Sequence, residues 1–302
     1  MSVITTGSHP KALWPGVKAW FGRTYDEHEV EYTDLFTMET SERAYEELVQ
    51  LNGFAIAQVK PEGGAVTYQT ESQGYTKRMT HVAYSSGYIT TYEEMRDNLY
   101  EVVGKRRAQA LAFAFRQTKE LVGANVYNRA VTSGYTGGDG VVLLSTAHPS
   151  QSGNQSNKLA TAADFSEAAL EDLIIQIMGA TNSRGLQIAL KPKCLIVPRQ
   201  LVFEATRVLK STLQNDTANN AVNALKATGA LPEGVKVNHY LNDPDMWFVR
   251  NKIPSGMIGM DREIGEFEQD NDFDTKNAKA KKYERYSFGW GDWRDVFGSE
   301  GA

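Results

Sequence analysis

Apolar and small residues at Met95, Leu99, Val102, Val103, Ala110, Phe113, Ala114, Leu121 and Ala124 recur at a spacing that keeps them on one stripe of an α-helix. The spacing predicts a single helix over 91–127, opened by Thr91 with Glu94 three residues on, a capping-box start. Glu101 with Lys105 and Arg116 with Glu120 add i,i+4 pairs along it. At about 1.5 Å per residue such a helix runs on the order of 50 Å, longer than a compact domain usually needs, so it reads as a beam. Gly104 is its weak point, since a mid-helix glycine costs roughly 1 kcal/mol against alanine. The expectation is one continuous helix.

Around this beam the pattern changes character several times. The opening residues are rich in Trp and Phe with little periodicity and suit an extended arm, and Ala44, Leu48 and Leu51 then repeat at helix spacing over 41–51. Phe54 to Val59 and Ala65 to Thr70 read as two strands joined by the turn Pro61-Glu62-Gly63-Gly64. This hairpin is polar and two-stranded, hence marginal unless it leans on a partner. A third extended run, Tyr75 to Tyr84, leads to the beam. Thr132 to Lys158 is dense in Gly, Ser, Thr and Asn and reads as loop with one strand, Val141 to Leu144.

Leu170, Leu173, Ile174, Ile177 and Met178 predict an amphipathic helix capped by Ser166 or Asp164. Cys194 to Val197 reads as a buried strand. Pro198 fits the first turn of a helix carrying Leu201, Ala205, Val208 and Leu209, and 219–227 reads as another short helix. Val235 to Leu241 and Met246 to Val249 alternate as strands about the turn Asn242-Asp243-Pro244-Asp245, a second hairpin. Residues 165 to 255 thus form an α+β unit. Near the end, Tyr286, Phe288 and Trp290 share one face of a strand, an apolar load expected to pack against the beam.

Composition narrows the function. The chain has 302 residues, 41% of them hydrophobic, and a net charge of −5, which suits a globular protein and argues against a dedicated nucleic-acid binder. The basic runs Lys105-Arg106-Arg107 and Lys279 to Lys282 read as solvated faces that meet phosphate only locally. A single cysteine, Cys194, excludes an intrachain disulfide and a cysteine-rich zinc site and suits a reducing compartment. Met1 to Gly16 has no apolar signal core and no run is long enough to cross a bilayer, so a soluble, cytoplasmic chain is expected.

No catalytic constellation emerges. The glycines of 134–140 are not followed by the Lys-Ser/Thr of a phosphate loop, the five histidines lack metal spacing, and no Gly-x-Ser-x-Gly occurs. Cys194 sits in an apolar run, and the acidic stretch Glu263 to Asp274 lacks the EF-hand order. No catalytic residue, cofactor or metal is assigned, and the chain is expected not to be an enzyme.

Segments in a fixed order carry a resemblance that covers nearly the whole chain. They are Gly74-Tyr75-Thr76-Lys77-Arg78 running to Ile89-Thr90, Arg116-Gln117-Thr118-Lys119-Glu120 in the beam, Leu144-Ser145-Thr146-Ala147-His148-Pro149, Lys193 to Pro198, and Arg285-Tyr286-Ser287-Phe288-Gly289-Trp290. In these the chain resembles the major head (capsid) proteins of tailed bacteriophages, of the kind of the phage Mu head subunit. The resemblance implies the α+β Hong Kong 97-type coat fold. Its parts would be an N-terminal arm (1–52), an extended β-hairpin loop (53–90), a peripheral domain with the spine helix (91–164), an axial domain (165–258) and return strands of the peripheral domain (259–302). It also implies self-assembly as hexamers and pentamers into an icosahedral head enclosing double-stranded DNA. The partners implied are a portal, a head-processing protease, weakly held DNA and a scaffold that is a separate protein, since about 50 residues precede the loop. Membranes are not among them. The location would be the virion, after assembly in the host cytoplasm. Lys60, Glu62, Lys77 and Arg78 are the candidate intersubunit contacts. A bacterial nanocompartment shell with the same fold is the alternative.

Overall fold

In the computed structural model, residues 21, 23, 29–96, 100–214 and 221–302 are described, those from 95 to 104 by their backbone alone. The long helix is there. Thr91 Oγ accepts the Glu94 amide at 3.3 Å, as the capping box requires, and two helices follow. After a short helix α1 (Tyr32–Leu35), these are α2 (Tyr92–Arg96) and α3 (Tyr100–Asn128). The helix α3 runs through Gly104 without interruption. The junction at 97–99 and the side chain of Glu101 lie outside the described residues.

The face that α3 buries is not the predicted one. Ala108, Leu111, Ala112, Phe115, Ala124 and Tyr127 are buried, together with Arg116, Lys119 and Glu120, whereas Phe113 and Leu121 are 44% and 40% exposed. The buried set is itself spaced i, i+3, i+4, but charged residues within it hide the stripe from a hydropathy reading. Those charges have partners. Lys119 Nζ meets both oxygens of Asp261 at 2.7 and 2.9 Å, and Glu120 Oε1 accepts the Glu31 amide at 3.0 Å.

Beneath α3 lies a sheet in the order β1 (Thr37–Thr40), β8 (Met257–Glu263), β10 (Ala278–Trp290), β4 (Val82–Thr90), with β9 (Phe267–Asn271) also paired to β10. The long strand β10 is its centre. It pairs with β4 along one side, and with β9 and then β8 along the other. Ala278 and Ala280 sit under Ala108, Leu111 and Phe115. Phe288 packs on Phe36 and Tyr32, with ring centroids 4.9 and 5.7 Å apart, near Gly123 of the helix. The aromatic strand therefore packs as expected, but the chain does not finish there. After a 3-10 turn at Trp293–Asp295, β11 (Val296–Ser299) leaves for the second sheet.

That second sheet has the order β11, β7 (Trp247–Asn251), β5 (Pro192–Pro198), β6 (Val235–Asn238). The predicted hairpin of β6 with β7 does not form. Both flank β5, β6 parallel and β7 antiparallel, because β5 is apolar on both faces and takes the centre. The predicted helix at 167–178 is α4 (Glu167–Met178), with Ser166 as the cap accepting the Ala169 amide; α5 (Val202–Lys210) and α6 (Ala224–Thr228) follow. The segment Val141 to Leu144 forms no strand, only a bridge from Val142 to Thr136, although Leu143 and Leu144 are buried.

Two further differences concern the ribbon. Residues 45–52 are not helix but β2 (Tyr45–Asn52), antiparallel to β3 (Ser72–Thr80). The arms 54–59 and 65–70, expected as strands, carry no ladder. They form the irregular tip of a ribbon whose strands are β2 and β3.

Candidate assembly surface

The ribbon's root is fastened to its own chain. Tyr75 Oη donates to the Pro149 carbonyl at 2.6 Å, Ser183 Oγ to Asn52 Oδ1 at 2.6 Å, and Arg184 Nη2 to the Thr70 carbonyl at 3.0 Å. A Cβ on Gly138 would come within 3.1 Å of the Thr76 backbone, so the loop over the root needs glycine there. Arg78 pairs with Glu47 across the ladder at 2.8 Å and lies over the Tyr45 ring; the hydrogen bond to Glu47 holds the guanidinium pKa above its ordinary value. Lys77 Nζ donates to the Thr136 carbonyl at 2.5 Å and stands 5.7 Å from the Trp290 ring centre.

The tip is different. Its internal bonds are few: the Ala55 amide to Gln69 Oε1 at 2.7 Å, Gln69 Nε2 to the Ile56 carbonyl at 3.4 Å, and the Gly64 amide to the Pro61 carbonyl at 3.0 Å. Phe54, Ile56 and Val66 are more than half exposed, and Val59 and Tyr68 are 95% and 92% exposed. Lys60 and Glu62 stand at the end, exposed. The four sequence-predicted residues are thus brought together only in pairs, Lys60 with Glu62 at the tip and Lys77 with Arg78 at the root.

Behind the root is a cavity of about 400 Å³ between β3, the end of α3, the loop at 134–136 and the end of β10. Arg129 and Tyr135 line it, with the guanidinium 4.4 Å from the ring centre, beside Lys77 and Trp290. Sequence reasoning missed Arg129 and Tyr135; no spacing ties a helix-end arginine to a loop tyrosine and a strand tryptophan.

The loop segment that follows the beam has a structural task. His148 is fully buried, with Nδ1 2.6 Å from Asp139 Oδ2, Nε2 3.1 Å from Asn157 Oδ1, and its ring stacked at 4.1 Å on Trp293. Asn157 Nδ2 in turn donates to the carbonyls of Leu143 and Val296 at 2.7 and 2.9 Å. Burial pushes the Cys194 thiol up to about 11, which suits packing and not nucleophilic attack. Among the described residues no His, Cys, Asp and Glu cluster could hold a metal, and no helix is long and apolar enough to cross a membrane.

Residues 75–297 match the model of a protein family described as phage capsid protein. The chain belongs to that family. A comparison with curated protein sequences gives no match. Solved structures similar to it include that of Mycobacterium phage Che8, at 14% identity and a TM-score of 0.53, covering 89% of this chain and 90% of the other. The capsid of a native GTA particle is similar at 10% identity and 0.56, covering 88% of each chain. The SrpI encapsulin complex of Synechococcus elongatus is similar at 9% identity and 0.50, covering 89% and 86%. At such identities the likeness is one of fold: this phage capsid protein has the Hong Kong 97-type coat fold, built of helices and mixed sheets.

Proposed function

We propose that this phage capsid protein is the major head subunit of a tailed phage. Copies of it associate as pentamers and hexamers into an icosahedral shell around double-stranded DNA. The observation that carries this reading is the ribbon tip: Phe54, Ile56, Val59, Val66 and Tyr68 project from it and stay more than half exposed, with nothing among the described residues to bury them. A contiguous exposed apolar surface on a tethered loop suits a contact with another molecule, and the fastened root holds the tip clear of its own subunit.

In this reading residues 1–52 are the arm, 53–90 the extended loop, 91–164 the peripheral domain with its spine, and 165–258 the axial domain, with the loop's root reaching back to Tyr45 through β2 and its last strand, β4, belonging to the sheet under the spine. Residues 259–302 return to the peripheral domain; the pairing of β11 with β7 also ties them to the axial sheet. Lys60 and Glu62 contact the neighbouring subunit, while Lys77 and Arg78 brace the loop from which the tip extends. Scaffold, portal and head-processing protease are the partners of assembly, the packaged DNA is held weakly, and the assembled protein resides in the virion after assembly in the host cytoplasm. The chain acts structurally and not as an enzyme.

Deleting Lys60 to Thr70 tests the reading. The variant is expected to keep the thermal stability of the full chain and to form no closed shells by light scattering and electron microscopy. Normal shells from it would overturn the loop assignment. The likeness to an encapsulin favours a second reading, a nanocompartment shell, and the contents of purified particles separate the two: nucleic acid for a head, a protein cargo for a compartment.

A further inference from the structure

Two features are left over when the ribbon has been accounted for, and they complement each other. One is the cavity at the ribbon's root. Of its cations, Arg78 is neutralised by Glu47, but among the described residues neither Lys77 nor Arg129 meets a carboxylate at salt-bridge distance. Burial lowers the Lys77 pKa, with Asp139 nearby acting against it. Val126 and the Trp290 ring supply apolar wall. The cavity is thus shaped for an apolar group carrying negative charge.

The other feature is the turn between β9 and β10, Asp272-Phe273-Asp274. Phe273 is 95% exposed, yet its backbone is fixed: the Asp272 amide donates to the Asn277 carbonyl at 2.8 Å, and the Asp274 amide to Asp272 Oδ1 at 3.1 Å. Lys279 takes up the Asp272 carboxylate at 2.6 Å, while that of Asp274 meets no cation among the described residues. A rigid aromatic knob with an adjacent free carboxylate loses little conformational entropy on docking. It cannot reach the cavity of its own chain, because β10 from Ala278 to Phe288 runs between them, roughly 33 Å of extended strand.

We propose that the Asp272–Asp274 turn of a second copy seats in this cavity, Phe273 against the apolar wall and Trp290, Asp274 against Arg129 and Lys77. A 400 Å³ cavity has room for a phenyl group and its flanking carboxylate. Knob and cavity are different surfaces of one chain, so the contact is heterologous, and it closes only when the copies form a ring. The inference rests on the self-assembly reading.

The test uses the full chain with Asp274→Arg, Arg129→Asp and the two combined, followed by size-exclusion chromatography with light scattering and electron microscopy. Both positions are exposed, so thermal unfolding should stay unchanged in every variant. Each single reversal is expected to lower the assembled fraction at least tenfold, and the double variant to recover it. Phe273→Ser should lower it without affecting folding. Wild-type assembly with undiminished assembly of the single variants overturns this contact and leaves self-assembly standing. Loss in the singles without recovery in the double overturns the Asp274–Arg129 pairing. A wild-type chain that stays monomeric at every concentration overturns the self-assembly reading and this contact with it.

Discussion

Glu120 shows how one residue carries the fold's electrostatics. It is buried on the spine face, where it accepts the Glu31 amide, and Glu31 itself meets His239 Nδ1 at 2.6 Å. Desolvation first, with the Glu31 carboxylate adding to it and Arg116 opposing, pushes the Glu120 carboxyl from 4.5 up to about 7. Between these two values the native state binds the proton more tightly than the unfolded chain, so this group's contribution to stability falls as pH rises from about 4.5 to 7 and is level on either side. Glu120→Gln keeps the acceptor for the Glu31 amide and removes the titration. Relative to the wild type it is expected to gain about 2–3 kcal/mol between pH 5 and 8. Denaturant unfolding of both proteins at the two pH values measures this; equal pH dependence would show that Glu120 is ionised in the fold. Nothing in the sequence marked Glu120 or Lys119 as buried, because a charged residue reads as solvent-facing until its partner, Glu31 or Asp261, is known.

Elements were legible where local periodicity agreed with the tertiary environment. The Ser166-capped helix buries Leu170, Leu173, Ile174 and Ile177 of its predicted stripe and exposes only Met178, the run Cys194 to Val197 is buried throughout as a strand, and Tyr286, Phe288 and Trp290 lie on the strand expected of them. Residues 45–52 failed the same reading because Leu48 and Leu51 fit helix spacing by coincidence, while the ladder with β3, distant in sequence, decides the outcome. The pair β6 and β7 failed because a turn signal between two strands says nothing of a third strand between them in space. At the root cavity, Lys77, Arg78 and Trp290 were visible from sequence, whereas Arg129 and Tyr135 were not. The spine itself gives a test at this scale. Since α3 passes through Gly104 as regular helix, Gly104→Ala should stabilise the subunit by up to about 1 kcal/mol through reduced freedom of the unfolded chain. A midpoint shift in urea unfolding with an unchanged slope would bear this out; marked destabilisation would mean that another backbone packs against the missing Cβ.

For the whole molecule the decisive feature is the way the chain end joins the two sheets. After β10 leaves the sheet under the spine, Asp295 is buried in the turn before β11 and accepts the Met257 amide of β8 at 2.8 Å. The same oxygen lies 3.4 Å from Nε of Arg250 in β7, whose other nitrogens donate to the Asp34 carbonyl at 3.0 Å and to Thr37 Oγ1 at 2.8 Å. One buried ion pair therefore links β7 of the second sheet with β1 and β8 of the first. Burial raises the Asp295 pKa, with Arg250 pulling it back down, so the carboxylate depends on its partner. Removing one member of such a pair leaves the other charge uncompensated, at a cost of about 3–5 kcal/mol. Asp295→Ala should therefore lower stability by that order, and both sheets should be lost together, since the linking turn belongs to neither alone. Calorimetry decides between this coupling and independent units: a single transition moved to lower temperature is expected, whereas two separated transitions, one of them unmoved, would mean that the sheets fold on their own.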